Sequence, residues 1–158
     1  MPNNIVRCKV RIAIYSDIEQ MVSLLEELFG MENDFFPDAE AQRRGLKLIF
    51  DNPATAKILV AETDCEVVGM CALHSRMSTF YGAETGVIED VVVKKEFRGK
   101  GVGRQLLYAA EKHALENGLK HLHLLMDKDN SPAELFYSEL GWSRTGLVCM
   151  RKKLEENR

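Results

Sequence analysis

Residues 7–13 alternate charged and apolar side chains, Arg7, Lys9 and Arg11 against Cys8, Val10 and Ile12, the period of a strand with one buried face. The period then changes. Ile18, Met21, Val22, Leu25, Leu28 and Phe29 recur at helical spacing as far as Gly30, behind a capping box of Ser16 and Glu19. A loop with Phe35 and Phe36 follows, then a second helix over 38–50, interrupted by Gly45 and stopped by Asn52-Pro53. Two β-rich runs, 57–62 and 66–74, are joined by Thr63-Asp64-Cys65 in the manner of an antiparallel hairpin. The polar stretch 75–82 reads as a loop or a fraying strand end, and 85–94 as the next strand. A helix over 102–117 carries Leu106, Leu107, Ala110, His113 and Ala114 on one side and ends at Gly118. A strand over 121–126 leads to a short helix opened by Ser131, Pro132 and Glu134 and closed by Gly141. Residues 142–144 and 147–154 complete the pattern as strands.

The order is β-α-α-β-β-β-α-β-α-β-β. Hairpins among helical crossovers predict a mixed α/β fold, with a mostly antiparallel central sheet flanked by helices, in one domain over 1–158. Composition changes this little: 46% hydrophobic and 28% charged residues in 158 suit a chain with a real core. No apolar run approaches the roughly 18 residues of a membrane span, and the N-terminus lacks the pattern of a signal peptide, so the expected location is cytoplasmic. A net charge of −3 argues against nucleic acid as the main partner. Cys8, Cys65, Cys71 and Cys149 form no C-x-x-C pair, and His113, His121 and His123 show no ligand spacing, so neither a disulfide framework nor a metal site is expected. Cys71, within a strand pattern, reads as core filler.

The chemistry concentrates between strand 85–94 and helix 102–117. Arg98-Gly99-Lys100-Gly101-Val102-Gly103-Arg104 is a glycine-rich turn at a helix start, where backbone N–H groups and the helix dipole converge and three cations gather. A pyrophosphate suits it. It is not a P-loop, because no Ser or Thr follows Gly99-Lys100, and not a dinucleotide fingerprint, because Arg104 stands where the third glycine belongs. The turn matches R/Q-x-x-G-x-G/A through Arg98, Gly101 and Gly103. Downstream, the segment from Asn130 to Trp142 matches N-x-x-A-x-x-F-Y-x-x-x-G-F/W through Asn130, Ala133, Phe136, Tyr137, Gly141 and Trp142. With both motifs in this order, the chain resembles the GNAT superfamily of N-acetyltransferases, most specifically over 87–142.

That resemblance implies a sheet splayed between its fourth and fifth strands, acetyl-CoA in the gap, and direct acetyl transfer to a primary amine of a small molecule or peptide. The implied cofactor contacts are the main chain of Val91, Val92 and Val93 along the pantetheine arm. The turn Arg98, Gly99, Lys100, Gly101, Val102, Gly103 and Arg104 takes the pyrophosphate, and Asn130, Ala133, Phe136 and Tyr137 follow in the second motif. Tyr137 falls on the position of the acid that protonates the departing thiolate. Glu89, read as sharing a sheet face with Val91 and Val93 near the acetyl group, is the candidate base, with Asp90 and His74 as alternatives. The segment Ile88-Glu89-Asp90-Val91-Val92-Val93 is similar to a strand of glucosamine-6-phosphate N-acetyltransferases, which raises an amino-sugar phosphate as acceptor; a module that binds acyl-CoA without turnover is the alternative from another class. The acceptor would be lined by the first helices and by 29–38 and 75–83, where Glu32, Asp34 and Asp38 supply negative charge. A homodimer is the expected assembly, with neither membrane nor nucleic acid as partner.

Overall fold

A computed structural model describes residues 5–31 and 36–154; Glu32, Asp34 and Phe35 lie outside the described residues. These residues group into two compact units, one up to Leu124 and one from Leu125. The first contains β1 (Lys9–Ile12), a 3-10 turn (Tyr15–Asp17), α1 (Ile18–Met31), α2 (Ala39–Asp51), β2 (Ala56–Thr63), β3 (Glu66–Ser78), β4 (Ala83–Val93), α3 (Val102–Glu116) and β5 (Leu122–Leu124). The second contains α4 (Ser131–Glu139). The sheet runs β1-β2-β3-β4-β5, antiparallel through β4 and parallel between β4 and β5, so the expected mixed and mostly antiparallel class is found.

Both sheet faces are covered. Ile58, Val60, Met70, Ala72 and Val92 pack with Ile18, Met21, Val22, Leu24 and Leu25 of α1 and Leu46 of α2. On the opposite face lie Leu106, Leu107, Ala110 and Ala114 of α3, all buried. Gly69 permits this second layer, since a Cβ there would stand 3.0 Å from Leu106 Cδ1; at Gly86 a Cβ would stand 2.5 Å from Leu122 Cδ2 of β5. The β2–β3 hairpin turns through Asp64 and Cys65 alone, both at positive φ (49° and 64°), the conformation that matches the twist of a two-residue hairpin.

Three local expectations fail for physical reasons. In β1, Arg11 is turned inward and Ile12 is 40% exposed, because Arg11 bridges the Asp17 carboxylate (2.7 Å) and Glu62. At the start of the first helix, it is Asp17 that accepts the Ile14 N–H, and α1 begins only at Ile18. Residues 142–144 and 147–154 form no strand; Leu147, Val148, Met150 and Leu154 are all more than 80% exposed. β-propensity is realised only where a neighbouring strand or a packed face receives it, and neither does so for these side chains. For the polar stretch 75–82, read as a loop or a strand end, the strand end is realised as far as Ser78, opposite Ala83.

Candidate active site

Pairing between β4 and β5 covers only Gly86, Val87 and Ile88. Beyond Ile88, β4 runs on to Val93 with β3 on one side and no paired strand on the other among the described residues. The sheet therefore opens where the motif reading needs an opening: an extended ligand arm requires an unpaired strand edge, and residues 89–93 present one.

A bulge lies in the same stretch. Ala72 faces Glu89 and Met70 faces Val92, so Asp90 and Val91 together stand opposite Cys71. Asp90 adopts φ 53°, a left-handed conformation that an ordinary strand residue does not take. The extra residue breaks the alternation assumed from sequence. Glu89 shares its face with Val92, Ala72 and Met70, the side covered by α1, while Val93, opposite Gly69, is on the α3 side. Glu89 and Val93 are thus on different faces. Asp90 leaves its mark on Cys71, whose thiol is pushed up to about 12 by burial and, secondarily, by the Asp90 charge. Such a thiol stays protonated at neutral pH, and core filler is its role.

The regular β3–β4 register brings two candidate bases together. His74 pairs with Val87, one step diagonally from Glu89 on the same face, and its Nε2 lies 3.6 Å from Glu89 Oε2. Both side chains are partly exposed, at 34% and 52%. Sequence spacing held no sign of this approach, because the two residues belong to different strands.

The turn after β4 has the geometry of an anion site. Gly99 and Gly101 sit at φ 69° and 79°, and Gly101 is the N-cap of α3, with no side-chain cap and no acidic residue in the first turn. A Cβ at Gly99 would meet nothing within 4 Å, so the main chain there is open to approach. Uncapped amides, a positive dipole end and nearby Lys100 fit a pyrophosphate-bearing thioester. Arg98 serves the turn in another way: its Nε donates to the Val93 carbonyl (2.8 Å) and its Nη2 pairs with Glu27, bracing the turn against β4 and α1. Gln105 makes a second brace that the motif did not signal. Its Nε2 donates to the carbonyls of Val6 (2.7 Å) and Gly101 (3.2 Å), and its Oε1 accepts the Cys8 N–H (3.1 Å).

In the second unit, Asn130 is the N-cap of α4, and its Oδ1 accepts the Ala133 N–H (3.1 Å). The cap sits one residue before the expected Ser131 box. Tyr137 lies 5.2 Å from Phe136 and 6.1 Å from Trp142 between ring centroids, and its carbonyl accepts the Trp142 N–H. Arg144 pairs with Glu134 and donates to the Lys128 carbonyl.

The family model described as the acetyltransferase (GNAT) family matches residues 19–142. The chain belongs to that family. It is 29% identical over 138 residues to an aminoalkylphosphonate N-acetyltransferase of Salmonella typhimurium, covering 87% of this chain and 86% of that one. Its fold matches that of a Bacillus halodurans transcriptional regulator with TM-score 0.81 at 27% identity, over 94% and 100% of the two chains. It also matches glucosamine-6-phosphate N-acetyltransferase from Arabidopsis thaliana with TM-score 0.74 at 23% identity, over 95% and 100%, a likeness of fold. No helix among the described residues is long and apolar enough to cross a membrane, and no group of three His, Cys, Asp or Glu side chains there is placed to hold a metal ion.

Proposed function

We propose that this GNAT acyltransferase moves the acetyl group of acetyl-CoA directly to a primary amine, with both substrates bound together. The observation that carries this reading is the continuity of the free β4 edge, the bulge at Asp90 and the uncapped start of α3, one stretch that suits an extended arm, a carbonyl and a pyrophosphate in turn. Acetyl-CoA supplies an activated thioester. The chain must then hold the acyl carbonyl, free the amine of its proton and protonate the departing thiolate.

Glu89 is the proposed base. An amine with pKa near 10 is mostly ammonium at neutral pH, and a half-exposed carboxylate beside an imidazole offers an acceptor for its proton and a route onward to water. Tyr137 is the proposed acid on its motif position, supported by the ring contacts with Phe136 and Trp142 that restrain its side chain. A phenol of pKa about 10 donates slightly uphill to a thiolate with conjugate acid near 8.5, which a hydrogen bond formed in the transition state accommodates. The Salmonella relative acts on an aminoalkylphosphonate, as its name states, and a small primary amine is the acceptor class proposed here too. A cytoplasmic location and a homodimer belong to the same proposal.

The test is release of free thiol from acetyl-CoA across a panel of primary amines, run with the parent chain and with Tyr137→Phe. The expected result is turnover with at least one small amine, and a kcat lowered by about a hundredfold or more in the variant with coenzyme A affinity unchanged. Coenzyme A binding without turnover on any amine would favour the non-catalytic module instead.

A further inference from the structure

The face of β3 and β4 that carries Glu89 continues toward the hairpin end with polar side chains in a row. Along β3 the residues on this side are Ala72, His74 and Arg76, opposite Glu89, Val87 and Thr85. Ala72 is buried in the core, His74 is partly exposed and Arg76 exposed, so along β3 this row leaves the helix-covered core within four residues, while Thr85 opposite Arg76 stays buried. In β5, His123 faces Val87 and extends the His74 level by one strand; its Nδ1 is buried without a hydrogen-bond partner.

Arg76 differs from the four arginines whose ion pairs tie them into the fold. Arg11 is held by Asp17 and Glu62, Arg43 by Glu19 and Glu40, Arg98 by Glu27 and Arg144 by Glu134. The Arg76 side chain has no such partner among the described residues. Its neighbours on this face, His74, Ser78, Ala83, Thr85 and Val87, include no acid, and the nearby Glu84 pairs with Met77 on the opposite face. The first carboxylate along the row is Glu89, about 14 Å away at roughly 3.4 Å per residue, a gap that a long arginine side chain narrows. One strip thus presents a carboxylate and an imidazole at one end and an unpaired guanidinium at the other.

We propose that this strip binds the acceptor, and that the acceptor carries an anionic group, a phosphonate, phosphate or carboxylate, a few bonds from its primary amine, with Arg76 holding the anion. The amine end of this assignment rests on the acetyl-transfer reading; the anion end rests on Arg76. A guanidinium presents paired N–H donors that match the oxygens of such groups, and an anion there balances a cation that the protein leaves uncompensated. The arrangement selects for separation as well as charge: a diamine places a second cation against Arg76, and a bare alkylamine leaves it unused.

The experiment measures binding of 2-aminoethylphosphonate and of ethylamine to the full chain saturated with coenzyme A, by NMR titration, for the parent and for Arg76→Ala and Arg76→Lys. The parent is expected to bind the phosphonate saturably and more tightly than ethylamine. Arg76→Ala should weaken the phosphonate by about tenfold to a hundredfold, the loss of one charged hydrogen-bonded pair, leave ethylamine unchanged, and be partly rescued in Arg76→Lys. Equal phosphonate affinity in parent and Arg76→Ala, or no preference of the parent for the phosphonate over ethylamine, would overturn the assignment. Arg76-dependent binding without acetylation of the bound amine would uphold the anion site and end the transfer reading, so the two fail separately.

Discussion

The helices α3 and α4 begin in opposite ways. α3 is entered through Gly101 in the left-handed conformation, with no side chain on its amides and no acid in its first turn. α4 is entered through Asn130, whose side chain takes the Ala133 N–H, with Pro132 removing one donor and Glu134 adding a negative charge. Every helix exposes unpaired amides at its start, and what satisfies them separates a structural start from a receptive one. At α4 the sequence supplies the acceptor itself. At α3 it withholds one, and the amides remain for an anion from outside. The 3-10 turn before α1 sides with α4: Asp17 accepts the Ile14 N–H and is clamped by Arg11.

The sharpest way to break this contrast is to give α3 the kind of cap that α4 has. Aspartate tolerates the left-handed conformation of Gly101, so Gly101→Asp is expected to fold, to cap its own helix and to weaken coenzyme A by about tenfold to a hundredfold in calorimetry. Unchanged affinity would remove the turn from the cofactor site. The next effect is at the clamped turn. Arg11, through its hydrogen bonds first, holds the Asp17 carboxyl below its usual range against the opposing effect of burial, with the Ile14 N–H assisting. A carboxyl lowered on folding contributes stability above its unfolded value near 4 and loses it as pH falls through the folded value. Asp17→Asn should therefore cost about 1 to 2 kcal/mol at neutral pH, and its melting temperature should converge on that of the parent below about pH 4. A constant difference across that range would mean that the charge contributes nothing. The smallest effect is at α4, where Asn130→Ala should cost about 1 kcal/mol or less in denaturant unfolding; if Asn130 also contacts the cofactor, as the motif implies, coenzyme A affinity falls with it, and unchanged affinity would confine Asn130 to its cap.

The fold was legible wherever a periodic pattern met a packed face. α1, α3 and the β2–β3 hairpin follow the apolar spacing, since the residues that set the period are those that bury. The glycine turn was legible because Gly99 and Gly101 adopt a backbone conformation that few other residues tolerate. The bulge was half visible: two acids in an apolar strand were out of place, yet nothing in the order of residues says that Asp90 stands outside the alternation. The approach of His74 to Glu89 and the Gln105 brace join residues distant in sequence, and only the register between strands and the path of the chain bring them together. The C-terminal stretch shows the reverse failure, where β-rich residues at 147–154 have the composition of a strand without a ladder to join.

Gln105 makes the N-terminal segment an instrument for reading the turn. The Cys8 N–H is held by the same side chain that donates to the Gly101 carbonyl, so hydrogen exchange at that amide reports on the first turn of α3 from outside it. Slower exchange of the Cys8 amide on adding coenzyme A would register occupancy with no label, no acceptor amine and no turnover.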